Sequence, residues 1–167
     1  MTPWVVITSD AAKLLSQLQD KHGPLMFHQS GGCCDGSSPM CYPDGDFIVG
    51  DRDVLLGLLD VGPDGVPVWI SGPQFQTWKH TQLVIDVVPG RGGGFSLEAP
   101  EGVRFLSRGR TFSDDENTAL AAAPAITIPA INTVDPSNAP PALLALKLLK
   151  TLTIPTPTQI TPSQPKM

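Results

Sequence analysis

No run of Lys or Arg occurs anywhere in this chain, which carries 11 basic against 16 acidic residues for a net charge of −5. Nucleic-acid binding depends on clustered cations that neutralise phosphates, so that partner class is disfavoured. Nothing approaches the ~18 consecutive apolar residues of a membrane-spanning helix. The opening Met1-Thr-Pro-Trp-Val-Val-Ile-Thr8 lacks a basic start and a long apolar stretch, so it does not read as a signal peptide, and the cytoplasm is the expected compartment. In a reducing compartment, three cysteines point away from a disulfide framework and towards thiols free for metal or redox chemistry.

A second set of absences divides the chain. The last 54 of the 167 residues contain no glycine, aromatic or cysteine, yet hold 9 of the 18 prolines. Such a segment has little means of building a core. The folded unit is therefore expected over 1–113, and 114–167 is expected to be a largely disordered tail with a short helix at 142–152.

Trp4 to Ile7 reads as an opening strand, and Thr8, Ser9 and Asp10 supply helix-start chemistry. Ala11, Leu14, Leu15 and Leu18 follow at helical spacing until Gly23-Pro24 stops the run. Pro24 to His28 reads as a strand. Asp46 to Val49 and Val54 to Leu59 are apolar segments, the second ambiguous between strand and short helix. Gly62-Pro-Asp-Gly65 is a turn, Val66 to Ile70 a strand, and Gln74 to His80 irregular. Leu83 to Val88, Gly90-Arg-Gly-Gly-Gly94 and Phe95 to Ala99 read as a hairpin, with Val103 to Leu106 as a last edge strand. One helix followed by five to seven short strands predicts an α+β domain with a sandwich-like sheet.

Chemistry concentrates in the loop from His28 to Cys41. Cys33, Cys34 and Cys41 fall within nine residues, five after His28, among paired glycines. Thiolates with an imidazole suit zinc, copper(I), iron or an iron–sulfur centre. Adjacent cysteines diverge on an extended backbone, so a subset such as Cys33 with Cys41 is expected to bind, with His28, His80 or Asp35 completing the set. The competing readings are thiol redox chemistry and small buried hydrophobes with no site role. Asp44, Asp46, Asp51 and Asp53 read as a solvated rim, and no phosphate-loop, dinucleotide or nucleophile-elbow motif is present.

Two resemblances rest on these residues. The stretch from Val6 to Phe112 resembles a bacterial family known as domain of unknown function 779. The phrases that carry it are His28-Gln-Ser-Gly-Gly-Cys-Cys-Asp-Gly-Ser38, Pro39-Met-Cys41, Trp78-Lys-His-Thr-Gln-Leu83 and Asp86-Val-Val-Pro-Gly-Arg-Gly-Gly-Gly-Phe-Ser-Leu-Glu98. Genes of that family often neighbour those of aldehyde dehydrogenases, which implies an accessory role in aldehyde or alcohol metabolism. The order of elements is also similar to the HesB/IscA-like A-type iron–sulfur carriers. Ile7-Thr8, Ala11-Ala12, Gly32-Cys33 leading to Gly36, Thr81-Gln82-Leu83 and Gly94-Phe95-Ser96-Leu97 stand at the matching places. Those carriers end in a Cys-x-Cys pair, whereas no cysteine follows Cys41 here. Only Cys33 maps onto a carrier ligand, and the resemblance implies Cys34, Cys41 and His80 as local replacements.

Three functions follow as expectations. The first is a metal- or iron–sulfur-binding accessory protein working with an aldehyde dehydrogenase or a related enzyme. The second is a small thiol enzyme attacking an aldehyde or a disulfide. The third is an interaction module that docks through Leu143 to Leu152. An exposed sheet edge makes a homodimer an expected form.

Overall fold

Thr8 both ends the first strand, β1 (Val5–Ile7), and starts the first helix, α1 (Ser9–His22). Its hydroxyl accepts the Ala11 N–H at 3.4 Å, so an otherwise orphaned helix donor is satisfied. Ala11, Leu15 and Leu18 bury the apolar face. At Gly23, φ is +79° and the N–H returns to Gln19 O at 2.8 Å, which closes the helix where the Gly-Pro pair predicts. The description comes from a computed structural model and covers residues 2–30, 38–122 and 126–127.

Among the described residues, eight strands make two sheets. One contains β2 (Leu25–Gln29), β3 (Met40–Pro43), β4 (Val54–Leu59), β5 (Val66–Ile70) and β8 (Ile126–Thr127), in the order β3-β2-β5-β4-β8. The other contains β1, β6 (Thr81–Pro89) and β7 (Val103–Thr111), in the order β1-β6-β7. β1 runs parallel to β6 and β2 parallel to β5, while the remaining pairs are antiparallel. The two sheets and α1 share one core. Phe27, Val54, Leu56, Val68 and Ile70 come from the larger sheet, and Leu83, Ile85 and Phe105 from the smaller. Phe27 and Phe105 meet edge to face at 4.9 Å. The chain is thus mixed α/β, with the sandwich-like core that the strand count predicts. No helix of the described residues is long and apolar enough to cross a membrane.

Several local expectations are corrected. The stretch expected to be irregular before β6 is helical: α2 spans Gly72–Trp78, with Pro73 in its first turn, where a missing N–H costs nothing. The apolar segment Asp46 to Val49 is a loop, from which Phe47 and Val49 pack onto the outer face of the larger sheet. Val54 to Leu59 is a strand. Phe95 to Ala99 is not the partner of β6. That partner is β7, paired over nine rungs from Thr81↔Thr111 to Pro89↔Val103. Residues 90–102 make an excursion containing the 3-10 turn Ala99–Glu101. The strand expected from Val103 is an edge strand, β7, but it runs to Thr111 instead of stopping at Leu106.

The described structure also continues past Ser113. Ser113 Oγ accepts the Glu116 N–H at 3.2 Å, and Glu116 accepts the Ser113 N–H at 2.8 Å. This reciprocal capping box opens α3 (Asp114–Ala122), on which Leu120 is buried. Arg110 grips the same carboxylate through two nitrogens, at 2.8 and 3.1 Å. That grip, with the Ser113 N–H, holds the Glu116 carboxyl down to about 2. The tail expectation beginning at 114 therefore yields a helix there, while the expected helix at 142–152 lies outside the described residues.

Candidate metal centre on the outer face of the larger sheet

Successive residues of a strand point to opposite faces, and on β2 this separates the predicted site residues. Phe27 is in register with Cys41 on β3 and Val68 on β5, and all three enter the shared core. His28 is in register with Met40 and Trp69, so it joins the outer face. There Met26, Leu55 and Trp69 form a second apolar cluster beneath Tyr42, Phe47, Val49 and Leu58. Phe47 covers His28 with ring centres 4.4 Å apart and stacks on Tyr42 at 5.0 Å.

His28 is only 4% exposed. Its Nδ1 lies 3.0 Å from Ser30 Oγ, and its Nε2 lies 3.1 Å from Asp53 Oδ2. Although that second separation is short, Nε2 has no hydrogen-bond partner among the described residues. This is a close approach and not an aligned hydrogen bond. Asp53 is fixed from its own side. Its Oδ2 accepts the Gly50 N–H at 2.8 Å, and its N–H reaches Gly50 O at 3.1 Å. Gly72 locks the same turn against α2, because a Cβ there would stand 2.5 Å from the Arg52 carbonyl oxygen. Ser71 N–H then joins Gln29 O at 3.0 Å, tying the start of α2 to the end of β2.

A separation of this size is shared by ordinary polar contacts and by two donors on one ion. Neighbouring donors on an ion with bonds of about 2.0–2.1 Å lie about 3.3 Å apart in tetrahedral geometry and about 2.9 Å apart in octahedral geometry. The 3.1 Å between His28 Nε2 and Asp53 Oδ2 falls between the two. The Nδ1 contact with Ser30 is the kind that orients a ligating ring. Among the described residues, no group of three His, Cys, Asp or Glu side chains converges.

The other sequence candidates are placed as follows. Cys33, Cys34 and Asp35 lie outside the described residues. Cys41 is fully buried on the opposite face from His28. Burial, followed by the nearby Glu98 carboxylate, pushes its thiol far above the ordinary range. His80 is exposed at the junction of α2 and β6, and its carbonyl accepts the Phe112 N–H at 3.0 Å. The expected solvated rim holds for the exposed Asp46 and Asp51 but not for Asp53, which faces His28. Only the thiolate reacts with alkylating agents. A Cys33→Ser/Cys34→Ser variant, whose remaining thiol is Cys41, is therefore expected to resist iodoacetamide when native and to take up one equivalent in denaturant. Quantitative native labelling, read by mass spectrometry, would contradict the placement of Cys41.

A separate polar clasp explains the glycine run. Ser96 and Glu98 are buried. Ser96 Oγ accepts the Cys41 N–H at 2.9 Å and donates to Glu98 Oε2, while Glu98 Oε1 accepts the Phe105 N–H at 3.3 Å. Leu97 N–H reaches Cys41 O at 3.1 Å. The excursion thus covers the free edge of β3, which would otherwise offer unpaired backbone groups. Gly93 lies so close to Met40 that a Cβ would stand 2.7 Å from its sulfur. Close approach is what Gly92 and Gly93 provide, and Gly90 takes a φ of +144°; none of them serves a two-strand turn.

Asp53 and Trp69 were hidden to sequence reasoning. Asp53 looks like one acid of four, and Trp69 like one residue of an apolar strand; the Gly50–Asp53 turn brings the first to His28, and the register of β2 with β5 brings the second. No curated protein and no solved structure matches the chain. A family model described as a domain of unknown function, DUF779, matches residues 14–111, a span running from α1 to the end of β7 and covering more than half of the chain. The chain belongs to the DUF779 family.

Proposed function

We propose that this protein is a metal-binding accessory protein in which His28 and Asp53 supply two ligands and one thiol of the Cys33-Cys34 pair supplies a third. The observation that carries the reading is the buried Nε2 of His28, which lacks a hydrogen bond among the described residues and faces a carboxylate oxygen at 3.1 Å. Ligation gives this nitrogen the aligned partner it lacks. A mixed nitrogen, oxygen and sulfur donor set suits zinc or iron, or a cluster with a non-thiolate ligand. This ligand set leaves out Cys41, which enters the core from the opposite face of the larger sheet, and His80, which precedes β6 of the smaller sheet. The β-α-β start and the two-sheet core are in keeping with a HesB/IscA-like fold. The metal serves an aldehyde- or alcohol-oxidising partner, and the thiols stay reduced in the cytoplasm.

Full-length protein purified without oxygen and reconstituted with Zn(II) or Fe(II) is expected to hold about one equivalent of metal by mass spectrometry. His28→Gln, Asp53→Asn and Cys33→Ser/Cys34→Ser are each expected to lower affinity more than about tenfold. His80→Ala should leave affinity unchanged. Failure of the wild type to retain either metal, or undiminished binding by His28→Gln with a native circular-dichroism spectrum, would overturn the proposal. Absence of metal together with one thiol titrating far below the ordinary range would favour the thiol-enzyme reading instead.

A further inference from the structure

Trp69 carries a second orphaned nitrogen. It is 1% exposed, and its Nε1 has no hydrogen-bond partner among the described residues. Indole nitrogen donates only, so it needs an acceptor and has no use for a cation. Phenylalanine or leucine would fill an apolar face without this cost, so an indole here is chemically meaningful. Its position sharpens the point. Trp69 is the direct register partner of His28 across the parallel β2–β5 pair, and the two residues share the outer face. The two described buried side-chain nitrogens without a hydrogen bond therefore stand on one rung of the sheet. The side chains packed around them are the buried Met26 and Leu55 and the partly buried Tyr42 and Phe47, an apolar lining that favours a short apolar body over a sugar or a polyphosphate.

We infer that Trp69 is a binding residue, its indole N–H donating to the oxygen of a small carboxylate or carbonyl compound held beside His28. The inference rests on the reading of His28 and Asp53 as ion ligands, because a divalent ion offsets the Asp53 charge and gives the ligand oxygen a second attraction. A carboxylate and an aldehyde share the required acceptor oxygen and differ in charge. Charge is what the two arms of the experiment separate.

The experiment follows the indole N–H resonances of full-length protein in nitrogen-15 spectra, with the Trp69 signal assigned from Trp69→Phe. Zinc-loaded protein is titrated with propionate in one arm and with propionaldehyde in the other. The expected result is a saturable downfield movement of the Trp69 resonance in at least one arm, with the resonances of Trp4 and Trp78 still. Trp69→Phe is expected to weaken binding of that ligand about tenfold or more while keeping its zinc. If zinc binds and neither compound moves the Trp69 signal, the inference fails and the metal reading survives. If zinc does not bind, the metal reading fails, and titration of the metal-free protein decides this one by the same signal. Equal ligand affinity in Trp69→Phe would also overturn it.

Discussion

Replacing Phe27 by alanine is expected to cost about 3–5 kcal/mol, out of a total stability of ~5–15 kcal/mol for a domain of this size. Phe27 is fully buried, sits in register with Cys41 and Val68, and meets Phe105 of the opposite sheet edge to face at 4.9 Å. Truncation leaves a cavity at the point where both sheets touch, and strands held by register on each side cannot collapse into it. Urea unfolding should show a lower midpoint with an unchanged slope. A double-mutant cycle with Phe105→Ala should return a coupling of about 0.5–1.5 kcal/mol from the ring pair. The contrasting control is Ile48→Ala. Ile48 is 89% exposed, so the change should stay within about 0.5 kcal/mol. Equal effects at the two positions would mean that the Phe27–Phe105 contact does not join the sheets.

The same residue marks where the sequence was legible. Local signals were sufficient for α1, because the Thr8 cap, the leucine spacing and the Gly23 stop all lie within one window. They were sufficient for β2, β5 and β6 for the same reason. They failed wherever the partner lay far away along the chain. β6 pairs with β7 across a 13-residue excursion, so the nearest apolar segment, Phe95 to Ala99, was the wrong partner on grounds that no window reveals. The capping box at Ser113 and Glu116 was readable, yet the alanine- and proline-rich texture beyond it masked it. At the site, His28 was identified because it borders the thiol loop. Its distance from Cys41 was not readable, since thirteen residues of sequence say nothing about which face each side chain takes. The pleat, together with the β2–β3 register, decides that.

Glu98 should make stability depend on pH in a direction opposite to that of the protein's paired surface carboxylates. Burial, partly offset by the Ser96 hydroxyl and the Phe105 N–H, holds its carboxyl above the ordinary 4.5. A carboxyl raised on folding contributes most when it is protonated in both states, and that contribution is lost as pH rises through the folded value. Asp86 behaves in the reverse sense. Burial lifts it, but hydrogen bonds from Arg108, the Val87 N–H and Thr8 outweigh this and leave it below 3.8. Glu116 also sits low, at about 2. Their stabilisation is lost as pH falls, so the two effects occupy separate windows on either side of the ordinary carboxylate range. Glu98→Gln removes only the upper one. Plotted against pH, the wild type should lose stability relative to Glu98→Gln as pH climbs above 4.5, with unfolding free energies from urea titrations as the measure. Glu98→Ala should be far worse than Glu98→Gln at every pH, by about 2–5 kcal/mol, because the Phe105 N–H and the Ser96 hydroxyl are both left without an acceptor. Parallel pH curves for wild type and Glu98→Gln would show that the carboxyl does not titrate from a buried position. The consequence reaches the outer face of the sheet. Ser96 passes the clasp on to the Cys41 N–H, so loss of the Glu98 acceptor loosens the edge of β3, the strand that holds His28 in register on that side.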